Sequence, residues 1–283
     1  MEPGAKDYNV VANTRGGRTL HSTLRFNEAE TVILSHEEAN TIRLRHKPEF
    51  LSQGLLSTSI SIKTCEDDLH ISRTRLKVAI EDFQCLESDK VITANSLGII
   101  EIFRFNIEEQ ICRKISEFRI NSKGSNIGEK ADQKPELVTN MAVTRDGQGG
   151  HFLAVSTVEA RFGTPGSHNE NLLKKVIVFR IDNCYNIQRF AVKEFNKKPQ
   201  EQKSLYYYLN FSYSYKGRKL LLAFQNEGER ALDVYALEGD SLELIYSKKG
   251  YHGEYFTAIR QNGESVVSVD YDGVMRILTP RKD

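Results

Sequence analysis

Residues 265–277 read Ser-Val-Val-Ser-Val-Asp-Tyr-Asp-Gly-Val-Met-Arg-Ile. A mostly apolar run ends in a polar turn that contains a glycine, and a second apolar run follows at 274–278. Glycine, aspartate and asparagine supply the left-handed backbone that tight hairpin turns require. This stretch therefore predicts two antiparallel strands joined by a short turn.

The same pattern of two strands and a polar turn occurs at four other places. The pairs are 32–35 with 41–44, 91–94 with 99–103, 152–156 with 175–179, and 220–224 with 231–235. The first strand of each pair is nearly continuous in apolar residues, which predicts burial on both faces. The second strand tends to alternate, which is typical of a half-exposed strand.

Further short strands flank each pair. A strand precedes every pair, at 24–26, 78–80, 141–143, 210–212 and 256–259, and a fourth strand follows all but the last, at 56–62, 111–118, 187–195 and 242–246. Repeating units of antiparallel strands without a clear helix predict an all-β fold, a β-propeller of five four-stranded antiparallel blades. The predicted blades are 19–63, 75–118, 138–195, 208–247 and 255–279.

The fifth unit lacks a fourth strand, and the segment from Tyr8 to Ala12 is a strand candidate without a unit. A closed ring removes exposed sheet edges. We therefore predict that residues 8–12 complete the last blade and close a single propeller domain over residues 1–283. A sixth or seventh blade would require a unit without the repeated pattern.

The stretch 265–277 resembles the SxxxDGxhRhW motif of WD40-like β-propellers, and the hairpin at 146–156 resembles their blades as well. The chain differs from that family in two respects, because no Gly-His pair opens a repeat and the sequence contains no Trp. The resemblance implies a propeller whose rigid sheets carry binding loops. In this family such domains commonly act as protein-interaction scaffolds.

Composition narrows the classes of function. The 283 residues include 39 basic and 38 acidic side chains, so the net charge of +1 does not favour nucleic acid or anionic lipid. Four cysteines without CxxC spacing favour a reducing compartment. With no apolar stretch of membrane-spanning length and no signal-peptide pattern, we expect an intracellular protein, cytoplasmic or nuclear.

Catalytic motifs are missing from the sequence. It has no HExxH, no phosphate-binding GxxxxGK[ST] and no GxSxG nucleophile motif, and its His and Cys residues show no zinc spacing. Some propellers cleave glycosides with paired carboxylates on inner strands. The only inner-strand carboxylates here are Glu81 and Asp82, which alternation places on opposite faces. We expect no enzyme activity, no catalytic or metal-binding residue, no cofactor and no small-molecule substrate.

Long connections at about 119–136, 158–174 and 196–207 are predicted to lie on one rim of the propeller. Loops tolerate insertions at little cost, so one interpretation of these long connections is neutral variation of the surface. The other interpretation is a binding face, which their clustering on one rim favours. We interpret this rim as a partner-binding face with Arg161, Phe162, Tyr206 and Tyr207 as anchors, because Arg and aromatic residues dominate interfaces. The alternative is that the tyrosines are packing residues.

Three functions follow from these observations. A non-enzymatic scaffold or adaptor subunit that binds other protein subunits is favoured. The alternatives are a propeller that contacts nucleic acid in a ribonucleoprotein or chromatin complex, and a propeller-type hydrolase.

Overall fold

The structure is a computed structural model. It describes residues 8–11, 21–26, 32–38, 41–46, 59–63, 69–71, 74–76, 79–95, 98–120, 136–145, 149–159, 172–194, 209–214, 219–226, 231–252, 256–262, 265–270 and 272–279. None of these residues is helical, so no described helix could span a membrane.

Strands make up most of the described residues. In chain order they are β1 (Tyr8–Val11), β2 (His21–Phe26), β3 (Val32–Glu38), β4 (Thr41–His46), β5 (Ser59–Lys63), β6 (Leu69–Ile71), β7 (Thr74–Leu76), β8 (Ile80–Glu87), β9 (Lys90–Asn95), β10 (Ile99–Asn106), β11 (Ile111–Arg119), β12 (Glu136–Arg145), β13 (His151–Glu159), β14 (Leu172–Ile181), β15 (Ile187–Glu194), β16 (Leu209–Ser214), β17 (Lys219–Asn226), β18 (Ala231–Glu238), β19 (Ser241–Lys248), β20 (Phe256–Asn262), β21 (Ser265–Asp270) and β22 (Met275–Leu278).

The strands form antiparallel sheets in sequence order. The first sheet is β1–β5, the second β8–β11, the third β12–β15, the fourth β16–β19 and the fifth β20–β22, while β6 and β7 form a separate hairpin. Residues Met1–Arg119 form one compact unit and Ile120–Asp283 another. The predicted all-β architecture of four-stranded antiparallel sheets is confirmed, and the β6–β7 hairpin is an addition to it.

The N-terminal strand does not have its predicted partner. β1 pairs with β2, from Tyr8 opposite Leu24 to Val11 opposite His21, so it belongs to the first sheet. In the described residues the fifth sheet has only three strands. The predicted pairing of residues 8–12 with the last blade, and with it ring closure by the N-terminal strand, is therefore not confirmed. Consecutive antiparallel strands pair with the smallest loss of loop entropy, which favours the local partner.

The burial of the strands agrees with the prediction in part. β9 is buried along its whole length, as expected for the second strand of a unit. The third strands are predicted to be half-exposed, and for β18 this is wrong, because β18 is buried from Ala231 to Leu237. Its residues Leu232, Val234 and Ala236 pack in one cluster with Ile259 and Val266 of the fifth sheet. A neighbouring sheet thus covers the face that strand alternation assigned to water.

The fourth strands share an irregularity in their pairing with the third strands. In each of three sheets one residue of the fourth strand has no opposite residue, and these residues are Ile115, Phe190 and Ile245. Such a β-bulge increases the local twist and makes an edge strand a poor template for further pairing. The second, third and fourth sheets therefore end in bulged edge strands.

One turn occurs in both the second and the fifth sheet. The side chain of Asn95 accepts a hydrogen bond from the Ile99 N–H at 3.0 Å, and Asp270 accepts one from the Val274 N–H at 2.8 Å. Gly98 and Gly273 occupy the left-handed region at φ 72° and 77°. The two turns have the same spacing and bonds, so residues 99–102 of β10 correspond to residues 274–277.

Candidate functional site

The four predicted anchors Arg161, Phe162, Tyr206 and Tyr207 lie outside the described residues. The strands that lead into their segments are described. β13 ends at Glu159 and β15 ends at Glu194, and both run antiparallel to β14. Because β13 and β15 run in the same direction, their C-terminal ends lie at the same end of the third sheet. Residues 160–171 and 195–208 therefore leave this sheet from one end, which we call the loop end.

The strand that follows the second of these segments begins the fourth sheet and packs beside the third. β16 begins at Leu209, two positions after Tyr207, and it contacts β12 of the third sheet. The segment with Tyr206 and Tyr207 thus connects two sheets of the same compact unit. The opposite end of the third sheet carries the described turn from Asp182 to Asn186, which Asp182 closes by accepting bonds from the N–H groups of Cys184 and Asn186.

A polar cluster that the sequence did not predict lies within the fifth sheet and the segment before it. The His252 Nδ1 atom lies 2.9 Å from Asp270 Oδ2, and its Nε2 atom lies 2.7 Å from Ser268 Oγ. Ser268 and Asp270 lie on the same face of β21, because they are separated by one residue. We call His252, Ser268 and Asp270 the histidine cluster.

The histidine cluster is closed to solvent. Its members have exposed fractions of 1% for His252, 0% for Ser268 and 4% for Asp270. The Tyr251 ring meets the imidazole edge to face, with the ring centres 5.2 Å apart, and the Arg276 guanidinium lies 5.7 Å from the centre of the Tyr251 ring. Among the described residues, the Ser268 side chain is thus fully buried.

Neighbouring groups stabilise the ionised form of the Asp270 side chain. Burial alone would raise the pKa of Asp270, but the hydrogen bond from the Val274 N–H and the contact with His252 outweigh it and lower that pKa. The carboxylate therefore stays ionised at neutral pH and accepts the hydrogen bond of the imidazole Nδ1. The order Ser–His–Asp is that of a hydrolase triad, but a triad acts only on a substrate that reaches its serine. The buried cluster instead fixes residues 251–252 to β21.

The two carboxylates of β8 differ in environment. Asp82 is buried and accepts a hydrogen bond from the Phe83 N–H at 2.8 Å. Glu81 is exposed and is the extra residue of a bulge between β8 and β9. Protein around its carboxyl group reduces hydration, and this effect together with the charge of Asp82 raises the pKa of Glu81 to about 7. Only one of the two carboxylates thus faces solvent.

Metal binding requires several ligands at one point. No group of three or more His, Cys, Asp and Glu side chains has this arrangement among the residues described. The histidine cluster has two such side chains, His252 and Asp270, and its serine satisfies the remaining imidazole nitrogen.

Solved structures of similar shape exist for this chain. The structure of the Dos1 propeller matches with a TM-score of 0.52 and 9% identity over 95% of this chain and 58% of that chain. The WD40 β-propeller domain of Doa1 matches with a TM-score of 0.52 and 10% identity over 96% of this chain and 67% of that one. The fold is that of a β-propeller.

A third propeller of this shape is Sqt1 of Chaetomium thermophilum, solved bound to the N-terminus of the ribosomal protein L10. It has a TM-score of 0.50 and 11% identity over 90% of this chain and 57% of that chain. The present chain thus spans 57% to 67% of the length of these propellers. No protein-family model and no curated protein matches the sequence.

The fifth sheet of the propeller carries the WD40-like motif in altered form. Leu278 stands where the motif has Trp, and it packs half-buried against the cluster that contains Tyr251 and Val266. The sequence does not predict the histidine cluster from an adjacent Gly-His pair, because Tyr251 separates His252 from Gly250. The sequence signal for the cluster is a His upstream of the Ser-x-Asp of a second strand.

Proposed function

We propose that the chain is a non-enzymatic scaffold or adaptor subunit that binds other proteins through the loop end of its third sheet. The observation that carries the proposal is the antiparallel order β12–β15, which brings the exits of two long connections to one end of a rigid sheet. Binding residues occur preferentially on loops that a rigid scaffold positions. Sqt1, a propeller of similar shape, is bound to a segment of another protein, which is the mode of action proposed here.

Arg161, Phe162, Tyr206 and Tyr207 are the proposed anchors. Arg and Tyr are enriched among residues that carry binding energy, and Phe adds apolar area. The near balance of 39 basic and 38 acidic residues favours a protein over a nucleic acid as the partner. We further propose that the five sheets are the blades of one intracellular propeller domain.

The proposal is tested by separate changes at the loop end of the third sheet and at the opposite end of the fourth sheet. Replacing residues 160–171 by a turn of about four residues should leave the fold intact, because hairpin connections of that length are common. Phe162→Ala and Tyr207→Ala should each weaken binding of the native partner by about 2 kcal/mol, or roughly thirtyfold in Kd. Kd would be measured by surface plasmon resonance with a partner identified from native-cell pull-downs.

Asp240→Lys is the matched control, because Asp240 is exposed in the turn between β18 and β19, at the opposite end of its sheet. It should not change Kd. Loss of the partner from the Asp240→Lys protein, with full retention by the loop-shortened protein, would place the binding face at the other end and overturn the proposal.

A further inference from the structure

The two methionines in the described part of the chain have opposite environments. Met275 lies on β22 and is 63% exposed, whereas Met141 lies on β12 and is 1% exposed. Met1, the third methionine of the sequence, lies outside the described residues. The reaction of a sulfur side chain with an oxidant in solution follows its exposure. The fold therefore leaves one thioether reactive and protects the other.

The exposure of Met275 differs from that of the matching position in the second sheet. The shared turn matches Met275 with Ile100, which is fully buried. It also matches Ile277, which is 61% exposed, with the fully buried Ile102. The backbone of Met275 is held in register opposite Val269 of β21. An ordered strand thus presents the thioether to solvent at a position where the second sheet has a core residue.

We propose that Met275 is a site of oxidation by peroxides. The thioether sulfur attacks one oxygen of hydrogen peroxide, and the O–O bond breaks as the new S–O bond forms. The proton of the transferred hydroxyl passes to the departing hydroxide, so the products are methionine sulfoxide and water. The sulfur is oxidised by two electrons and the peroxide is reduced by two electrons, so the step needs no further reactant.

Oxidation at this position changes the polarity of a surface and leaves the core intact. Met275 and Ile277 lie on the same face of β22, because they are separated by one residue. A sulfoxide is polar, so its formation makes the surface beside Ile277 less apolar. The same change at the buried Met141 would place a polar group in the core. The inference is independent of the proposed scaffold function, because β22 is not part of the loop end.

The thiols of the chain are the competing targets of a peroxide. Cys184 is exposed, whereas Cys85 and Cys112 are half-buried. Burial raises the pKa of the Cys112 thiol to about 11, and a protonated thiol is a poor nucleophile. Products at Cys184 and at Met275 lie in different parts of the sequence, so peptide mapping distinguishes them.

The test compares rates of oxidation in the folded chain and in the chain unfolded by urea. The full chain is treated with dilute hydrogen peroxide, and mass spectrometry of proteolytic peptides follows the gain of about 16 Da at each methionine. In urea Met141 and Met275 should react at the same rate. Folding should lower the rate at Met275 by less than about threefold and the rate at Met141 by more than about tenfold.

A second measurement tests the change in surface polarity. Hydrophobic-interaction chromatography should elute the oxidised folded chain earlier than the untreated chain. Met275→Leu is the matched control, because leucine keeps an apolar side chain of similar volume without the thioether. Both proteins carry Cys184→Ser, which removes the exposed thiol. Treatment with peroxide should leave the elution volume of the Met275→Leu protein unchanged.

Several results would overturn the proposal. One is a rate of oxidation at Met275 that folding lowers by more than about threefold, which would show that the thioether is protected from solvent. Another is oxidation of Met141 in the folded chain at the same rate as Met275. A third is an equal shift of elution volume with and without Met275→Leu, which would assign the change in polarity to another residue.

Discussion

His252 holds together two parts of the chain that are not joined by strand pairing. One imidazole nitrogen contacts Asp270 and the other contacts Ser268, so no polar atom of the buried ring lacks a partner. A buried polar atom that loses its partner costs more free energy than the original bond contributes. The histidine cluster should therefore affect stability more than its two hydrogen bonds suggest.

Ser268→Ala tests this role. The substitution leaves the Nε2 atom of His252 buried without its hydroxyl partner, and we expect the free energy of unfolding to fall by about 1–3 kcal/mol. Ser241→Ala is the control, because the Ser241 hydroxyl bonds the Glu238 carbonyl at an exposed turn, and it should cost less than about 0.5 kcal/mol. Urea unfolding monitored by circular dichroism measures both. Equal effects of the two substitutions would contradict a structural role for the cluster.

Glu81 gives the chain a stability that depends on pH. The pKa of its carboxyl group is raised from an ordinary 4.5 to about 7. Between these values the folded chain binds a proton that the unfolded chain releases, so stability falls as the pH rises through this window. Glu81→Gln removes this loss of stability, because the Gln side chain does not titrate. The Tm of the Glu81→Gln variant minus the Tm of the unmodified chain should therefore be larger at pH 8 than at pH 4. A Tm difference that is the same at both pH values would contradict the raised pKa.

At the scale of the elements, the β-strands were largely predictable, whereas their environments were not. Alternation and turn residues located β9, β10, β17 and β18 close to their observed ends. The third strands were assigned a water-exposed face because the sequence does not specify which sheet packs on which. The β6–β7 hairpin was missed since each of its strands has only 3 residues, too few to show a period of two.

The N-terminal strand provides a prediction at this scale. Since β1 pairs with β2, removing residues 1–13 should expose the edge of β2 and increase hydrogen exchange in β2 and β3. Exchange in β20, β21 and β22 should not change, and mass spectrometry of peptic peptides measures both regions. Closure of the ring by residues 8–12 requires the reverse result, in which the fifth sheet loses protection and the first sheet keeps it.

At the scale of the whole molecule, the repeated pattern in the sequence was sufficient to predict a propeller. The anchors of the proposed interface were placed only by loop length and residue type. Arg161 and Tyr206 lie in segments without hydrophobic periodicity, and nothing in such segments specifies a conformation from sequence alone. The histidine cluster joins residues 18 positions apart, and such a contact becomes visible only when the strand pairing is known.

The bulges of the fourth strands mark the same point of the repeat in three sheets, although the sequence repeat is faint. Each bulge adds one residue to its strand, and it lies opposite Ile102 and Phe103 in the second sheet, Val178 and Phe179 in the third, and Val234 and Tyr235 in the fourth. An ungapped alignment of the units matches residues one to one. It no longer aligns equivalent residues wherever the connections before these positions differ in length between units. Profiles built unit by unit, anchored at the bulge and allowing insertions between anchors, should recover distant relatives that whole-chain comparison overlooks.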